Sequence, residues 1–147
     1  MVGNALAELR SLSCKGDPQA SELLGEKYFS GRQEFAEDPG KAELYLTHAA
    51  SHGVKGAALM LVMHYLKSPP TAHSLKAALI WLRVARIDEG GESPQYRLAE
   101  SGMKMALSGN EGVLPAGAAA EVATEGALIL HRIRNNLLAG EPGPCQT

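Results

Sequence analysis

Residues 16–53 read GDPQASELLGEKYFSGRQEFAEDPGKAELYLTHAASHG, and this stretch decides the fold. Asp17-Pro18 and Asp38-Pro39 each place a carboxylate that can cap a helix directly before a proline, whose missing amide costs nothing in a first turn. Gly31 and Gly53 can each take the left-handed conformation that ends a helix. Between these marks, Ala20, Leu24 and Tyr28, then Ala42, Tyr45, Leu46 and Ala49, recur at helical spacing. The segment is therefore predicted to be a helical hairpin.

The next segment, 53–90, repeats it. Ala57, Leu61 and Tyr65 follow Ala20, Leu24 and Tyr28 at an offset of 37 positions. Ala78, Trp81, Leu82 and Ala85 follow Ala42, Tyr45, Leu46 and Ala49 at an offset of 36, so one residue is lost from the loop between the helices. A fixed period in this range implies stacked helix pairs. Ser93-Pro94 marks a further start, and Gly90-Gly91, Gly109 and Gly140 mark further stops.

These signals predict helices at 5–13, 18–30, 39–52, 54–67, 72–87, 94–108 and 115–138, the last with a break near Gly126. The expected fold class is all-α, an α-α superhelix of about two stacked hairpins plus N- and C-terminal capping helices. It is expected to be one domain over residues 1–140, with a degenerate capping hairpin over 92–138 and a flexible tail over 141–147. In that hairpin Tyr96, Leu98 and Met105, with Ala118, Ala119, Val122, Leu128, Leu130, Ile133 and Leu137, are expected to supply apolar contacts. Residues 54–66 and 72–87 are apolar nearly all round, as a helix enclosed on several sides would be. Either the rest of the chain or a second copy of it, against Met60 and Met63, would supply that cover.

The pattern Ala20-x-x-x-Leu24-Gly25-x-x-Tyr28-x-x-Gly31, followed by Asp38-x-x-Lys41-Ala42-x-x-Tyr45-Leu46-x-x-Ala49-Ala50-x-x-Gly53, resembles the Sel-one-like repeat, a relative of the tetratricopeptide repeat. In the second copy Val62, Ser68 and Arg86 depart from the pattern, while Ala78, Trp81 and Leu82 keep it. The resemblance implies a bacterial α-solenoid that scaffolds or adapts protein complexes, or that neutralises a secreted toxin as an immunity protein. By carry-over, first-helix positions facing solvent would line a concave wall: Glu22, Glu26, Lys27 and Phe29 in one copy, Met60, Met63, His64 and Lys67 in the other. Methionines suit such a groove because they adapt to irregular partners, though they also serve as core filler.

Composition narrows the alternatives. The chain has 147 residues, 45% of them hydrophobic and 5% aromatic, which is enough for one core. A net charge of −2 and the lack of a Lys/Arg run argue against a nucleic-acid partner. No stretch of about 18 apolar residues offers a membrane span, and the N-terminal residues do not read as a secretory signal. Cys14 and Cys145 stand outside any CxxC pair, and the expectation is two free thiols in a reducing cytoplasm. His48 and His52, spaced i, i+4, could share a metal but have no third ligand nearby, so a solvated face is expected. Glu34, Glu37 and Asp38 read as a solvated turn with a cap. No GxSxG, HExxH or phosphate-binding glycine loop occurs. The expectation is a non-enzymatic protein with no cofactor; a ligand sensor or an enzyme is the third reading and would need a deep pocket with convergent polar groups.

Overall fold

The capping pattern is realised in the computed structural model of the chain, which describes residues 2–31 and 36–145. The described residues form seven helices and no strand, an all-α fold. These are α1 (Val2–Cys14), α2 (Pro18–Ser30), α3 (Pro39–Ser51), α4 (Ala57–Lys67), α5 (Ala72–Glu89), α6 (Pro94–Gly109) and α7 (Ala118–Arg134). The Asp17 carboxylate accepts from the Gln19 and Ala20 amides, Asp38 from Lys41, and the Ser93 hydroxyl from Tyr96. Gly31 closes α2 at φ 66° and donates its amide to the Lys27 carbonyl. The α5 cap went unread in the sequence. Thr71 and Ser74 exchange side-chain and backbone hydrogen bonds in a capping box, with serine where glutamate or glutamine is usual.

Some boundaries moved. α4 starts at Ala57 rather than 54, because residues 54–56 form a turn closed by the Ala57 amide on the Val54 carbonyl. α7 is shorter than 115–138, and it passes through Gly126 without a break. Glu34 of the expected acidic loop lies outside the described residues.

The chain gathers into two compact units, Met1–Ala57 with Arg132–Thr147, and Ala58–His131. In the first, α2 packs on α1 and α3. Gly25 makes the α2–α3 contact close, since a Cβ there would stand 2.6 Å from Leu46 Cγ. Tyr28 and Tyr45 stack with ring centroids 5.9 Å apart, and Arg10 Nη2 donates to the Tyr28 hydroxyl at 2.7 Å. In the second, α5 packs on α6 through a core that includes Trp81, Tyr96, Ala99 and Met103. Lys76 of α5 pairs with Glu121 and Glu125 of α7. Every matched position of the two repeats is buried in both copies, from Ala20 and Ala57 through to Ala49 and Ala85.

The free-thiol expectation is corrected, and residues 141–145 of the expected tail are tethered. Cys14 and Cys145 form a disulfide with their Cα atoms 4.5 Å apart. The segment 141–145 is laid against the α1–α2 turn, where the Gly143 amide donates to the Cys14 carbonyl at 3.1 Å. Two glycines, Gly16 and Gly143, leave room for this contact by lacking a Cβ. One on Gly16 would lie 2.5 Å from the Glu141 carbonyl oxygen, and one on Gly143 would overlap the Ser13 carbonyl oxygen. Residues 146–147 lie outside the described residues.

Candidate partner-binding surfaces

The eight expected wall residues fall four to each unit. On α2, Glu22, Lys27 and Phe29 are half-buried and Glu26 is exposed. Glu22, Glu26 and Phe29 share one side by their i, i+4, i+7 spacing. Partial burial raises the Glu22 carboxyl above its usual range, and the neighbouring Glu26 charge adds to this. On α4, Met60 and Met63 are half-buried and Lys67 is exposed.

His64 is corrected: it is only 5% exposed and belongs to the interior. Its ring meets Tyr65 edge-on at 4.9 Å. The reason is that α4 is covered on most sides, with Ala58, Leu59, Leu61, Val62 and Tyr65 all buried, which leaves only a narrow arc toward solvent.

The solvated-face reading of His48 and His52 is likewise corrected. In the first unit Ser13 Oγ and Ser21 Oγ share a hydrogen bond of 2.6 Å, and Ser21 Oγ and His48 Nδ1 share another of 2.6 Å. Both serines are fully buried, and His48 Nε2 is buried without a partner. Desolvation lowers the His48 pKa, helped by His52 and opposed by Asp17. His52 places Nδ1 2.9 Å from the His48 carbonyl and Nε2 3.1 Å from the Leu138 carbonyl. Both neighbours are acceptors, so a neutral ring can donate to only one of them and an imidazolium to both. Beside the histidines lies an open cleft of about 580 Å³, between α3 and the 138–144 segment. The described residues contain no cluster of three or more metal-ligating side chains.

In the second unit the surface differs from the expectation at α6 and α7. Leu98 is 64% exposed and Met105 76% exposed, so neither supplies a core contact. They lie seven residues apart on one side of α6, with Arg97 and Lys104 also exposed and likewise seven apart. The buried side of α6 carries Tyr96, Ala99 and Met103 instead. Leu128 and Leu137 are exposed as well, the former on α7 and the latter beyond it in the first unit, whereas Leu130 is buried. A helical periodicity shows that a helix has an apolar stripe, but Leu98 and Met105 form a second stripe that none of the described residues covers.

A second cleft of the same unit, about 420 Å³, lies along α5, α6 and α7. Arg83 and Arg86 line it over Leu82 and Val122. Burial raises the pKa of Tyr96, another lining residue, with Glu100 adding to the shift. No helix among the described residues is long and apolar enough to cross a membrane.

Compared with protein-family models, curated proteins and solved structures, the chain matches none significantly.

Proposed function

We propose that this chain is a non-catalytic protein-interaction module, an adaptor whose helical hairpins stack in the Sel-one-like manner and hold a partner protein on their solvent faces. The observation that carries the reading is the uncovered stripe on α6. Leu98 and Met105 are large apolar side chains held in water by a helix whose other side is packed. Single exposed leucines are ordinary, but a pair in register on a folded helix suits a partner surface. Met60, Met63 and Lys67 of the same unit, and separately Glu26 and Phe29 of the other, offer the mixture of charge and adaptable apolar groups that recognition uses.

The test is affinity purification of the intact chain from its native cells, with Leu98→Ser/Met105→Ser as the comparison. A partner held by the parent and lost by the double variant supports the reading. The same partners held by both chains would remove α6 from it.

The disulfide favours a second reading, neutralisation of a secreted bacterial toxin by an immunity protein. Cys14–Cys145 suits an oxidising compartment better than the cytoplasm expected from the sequence. Such an inhibitor would bind its toxin at about nanomolar Kd or tighter, whereas adaptors are commonly weaker. A second copy of this chain is the remaining candidate occupant of the stripe, and sedimentation of the purified protein would reveal it.

A further inference from the structure

We propose that the cleft along α5, α6 and α7 is a binding site for a carboxylate carried on an apolar body, with Arg83 and Arg86 as the anion-holding pair. The site is independent of the α6 stripe and of the adaptor reading.

Gly126 is the first observation. A glycine inside a helix costs about 1 kcal/mol relative to alanine, so its place in the middle of α7 needs a reason. The reason is Arg83. A Cβ on Gly126 would stand 3.2 Å from Arg83 Cδ and 3.8 Å from Nε, so the bare helix surface gives the arginine stem a bed to lie on. The stem is thereby held in place while the residue as a whole stays exposed. No ion pair or hydrogen bond engages the Arg83 guanidinium among the described residues. A cation whose position is set by packing, and whose donors are unused, is prepared for a ligand.

Arg86 is the second. It lies one turn further along α5, and its Cγ and the Tyr96 ring flank the same side of Gly91, at 3.7 and 3.4 Å from a Cβ built there. The Tyr96 hydroxyl donates to Glu100 Oε2 at 3.3 Å. Glu100 is the only carboxylate lining the cleft among the described residues, against two guanidiniums. On α7, the carboxylates of Glu121 and Glu125 are held by Lys76. The local balance therefore favours an anion.

The floor sets the rest of the ligand. Leu79, Leu82, Ile87 and Val122 are apolar, and Ile87 projects into solvent at the cleft edge. A bare inorganic anion would leave that floor wet. A guanidinium presents a planar fork that matches a carboxylate through paired hydrogen bonds. A volume of about 420 Å³ lies within the range of small-molecule sites, roughly 300–1,000 Å³. Two sources share this chemistry: a free medium-chain acid, and the C-terminal carboxylate of a peptide ending in apolar residues.

The experiment is titration of the full oxidised chain, followed by calorimetry and by amide chemical shifts. The probes are octanoate, N-acetyl-Leu-Leu acid, and the amide form of each. Expected is saturable binding of at least one acid below about 10 mM, at least about tenfold tighter than its amide. The shifts should cluster at residues 79–87, 96–100 and 122–126. Arg83→Gln and Arg86→Gln should each weaken the acid by about fivefold or more and leave the amide unchanged. Gly126→Ala should weaken it through Arg83, with helix content by circular dichroism unchanged. Arg83→Lys, which keeps the charge, guards against misfolding and should bind more weakly than the parent. Tighter octanoate assigns the site to free acids; tighter N-acetyl-Leu-Leu assigns it to a peptide terminus. Equal binding of acid and amide, full binding by folded Arg83→Gln, or no acid binding would each overturn the proposal.

Discussion

Breaking the Cys14–Cys145 bond is the perturbation with the largest expected effect on stability. The bond joins residues 131 positions apart and so closes nearly the whole chain into one loop. In the chain-entropy account, a loop of that size restricts the unfolded ensemble by about 5 kcal/mol. The folded side adds little to this. Without the bond, residues 138–145 keep the Gly143 amide on the Cys14 carbonyl and the His52 contact with the Leu138 carbonyl. Each is worth about 1 kcal/mol net. The expected loss for Cys145→Ser is therefore about 4–5 kcal/mol, a large part of a typical domain's stability. The assay is urea unfolding of three samples: the oxidised parent, the parent in excess dithiol, and Cys145→Ser, with thiols counted beforehand. For a slope near 2 kcal/mol/M, the midpoint should fall by roughly 2 M in the second and third samples alike. Coincident curves for all three, or two titratable thiols in the native oxidised protein, would refute the reasoning. A reduced parent that unfolds like the oxidised one while Cys145→Ser does not would show that the serine, rather than the lost bond, does the damage.

Four further outcomes follow from the packing. Tyr45 is fully buried and its hydroxyl lacks a partner, while burial raises its pKa. Tyr45→Phe should therefore be neutral or stabilising by up to about 1 kcal/mol in thermal melts, and a large loss would mean the hydroxyl is paired. His48 is held below its ordinary pKa, so between that lowered value and about 6.5 the unfolded chain binds the extra proton. Stability should then fall as pH drops through that window, and His48→Gln should flatten the slope; an unchanged slope would assign it to other groups. His64→Glu should destabilise by several kcal/mol, because it places an uncompensated carboxylate in the interior of α4, and an unchanged melting temperature would put His64 back on the surface. Tyr28→Ala and Trp81→Ala should each cost roughly 3–5 kcal/mol, since both side chains are buried at matched positions of the two copies, and unaltered urea midpoints would show the core misplaced.

The candidate partner surface was the least legible part of the chain. Of the eight wall residues, His64 proved buried, and the most exposed apolar pair, Leu98 and Met105, was expected in the core. Both errors share a cause. Periodicity locates a stripe on a helix, but which stripe is covered depends on neighbours that arrive from elsewhere in the chain. Gly126 was readable as an oddity inside a helical pattern, yet only the position of Arg83 explains it.

Local chemistry is what the amino-acid order alone determined. Cap side chains reach amides two or three residues away, proline and glycine act on their own dihedral angles, and a 3.6-residue rhythm selects helix over strand. Those signals marked most helix ends to within a residue or two and identified the seven matched pairs that are buried in both copies. Contacts distant along the chain were decided only by the tertiary structure. Cys14 meets Cys145, Ser21 meets His48, and Arg83 lies on Gly126, because folding brings together surfaces that no short window of sequence contains.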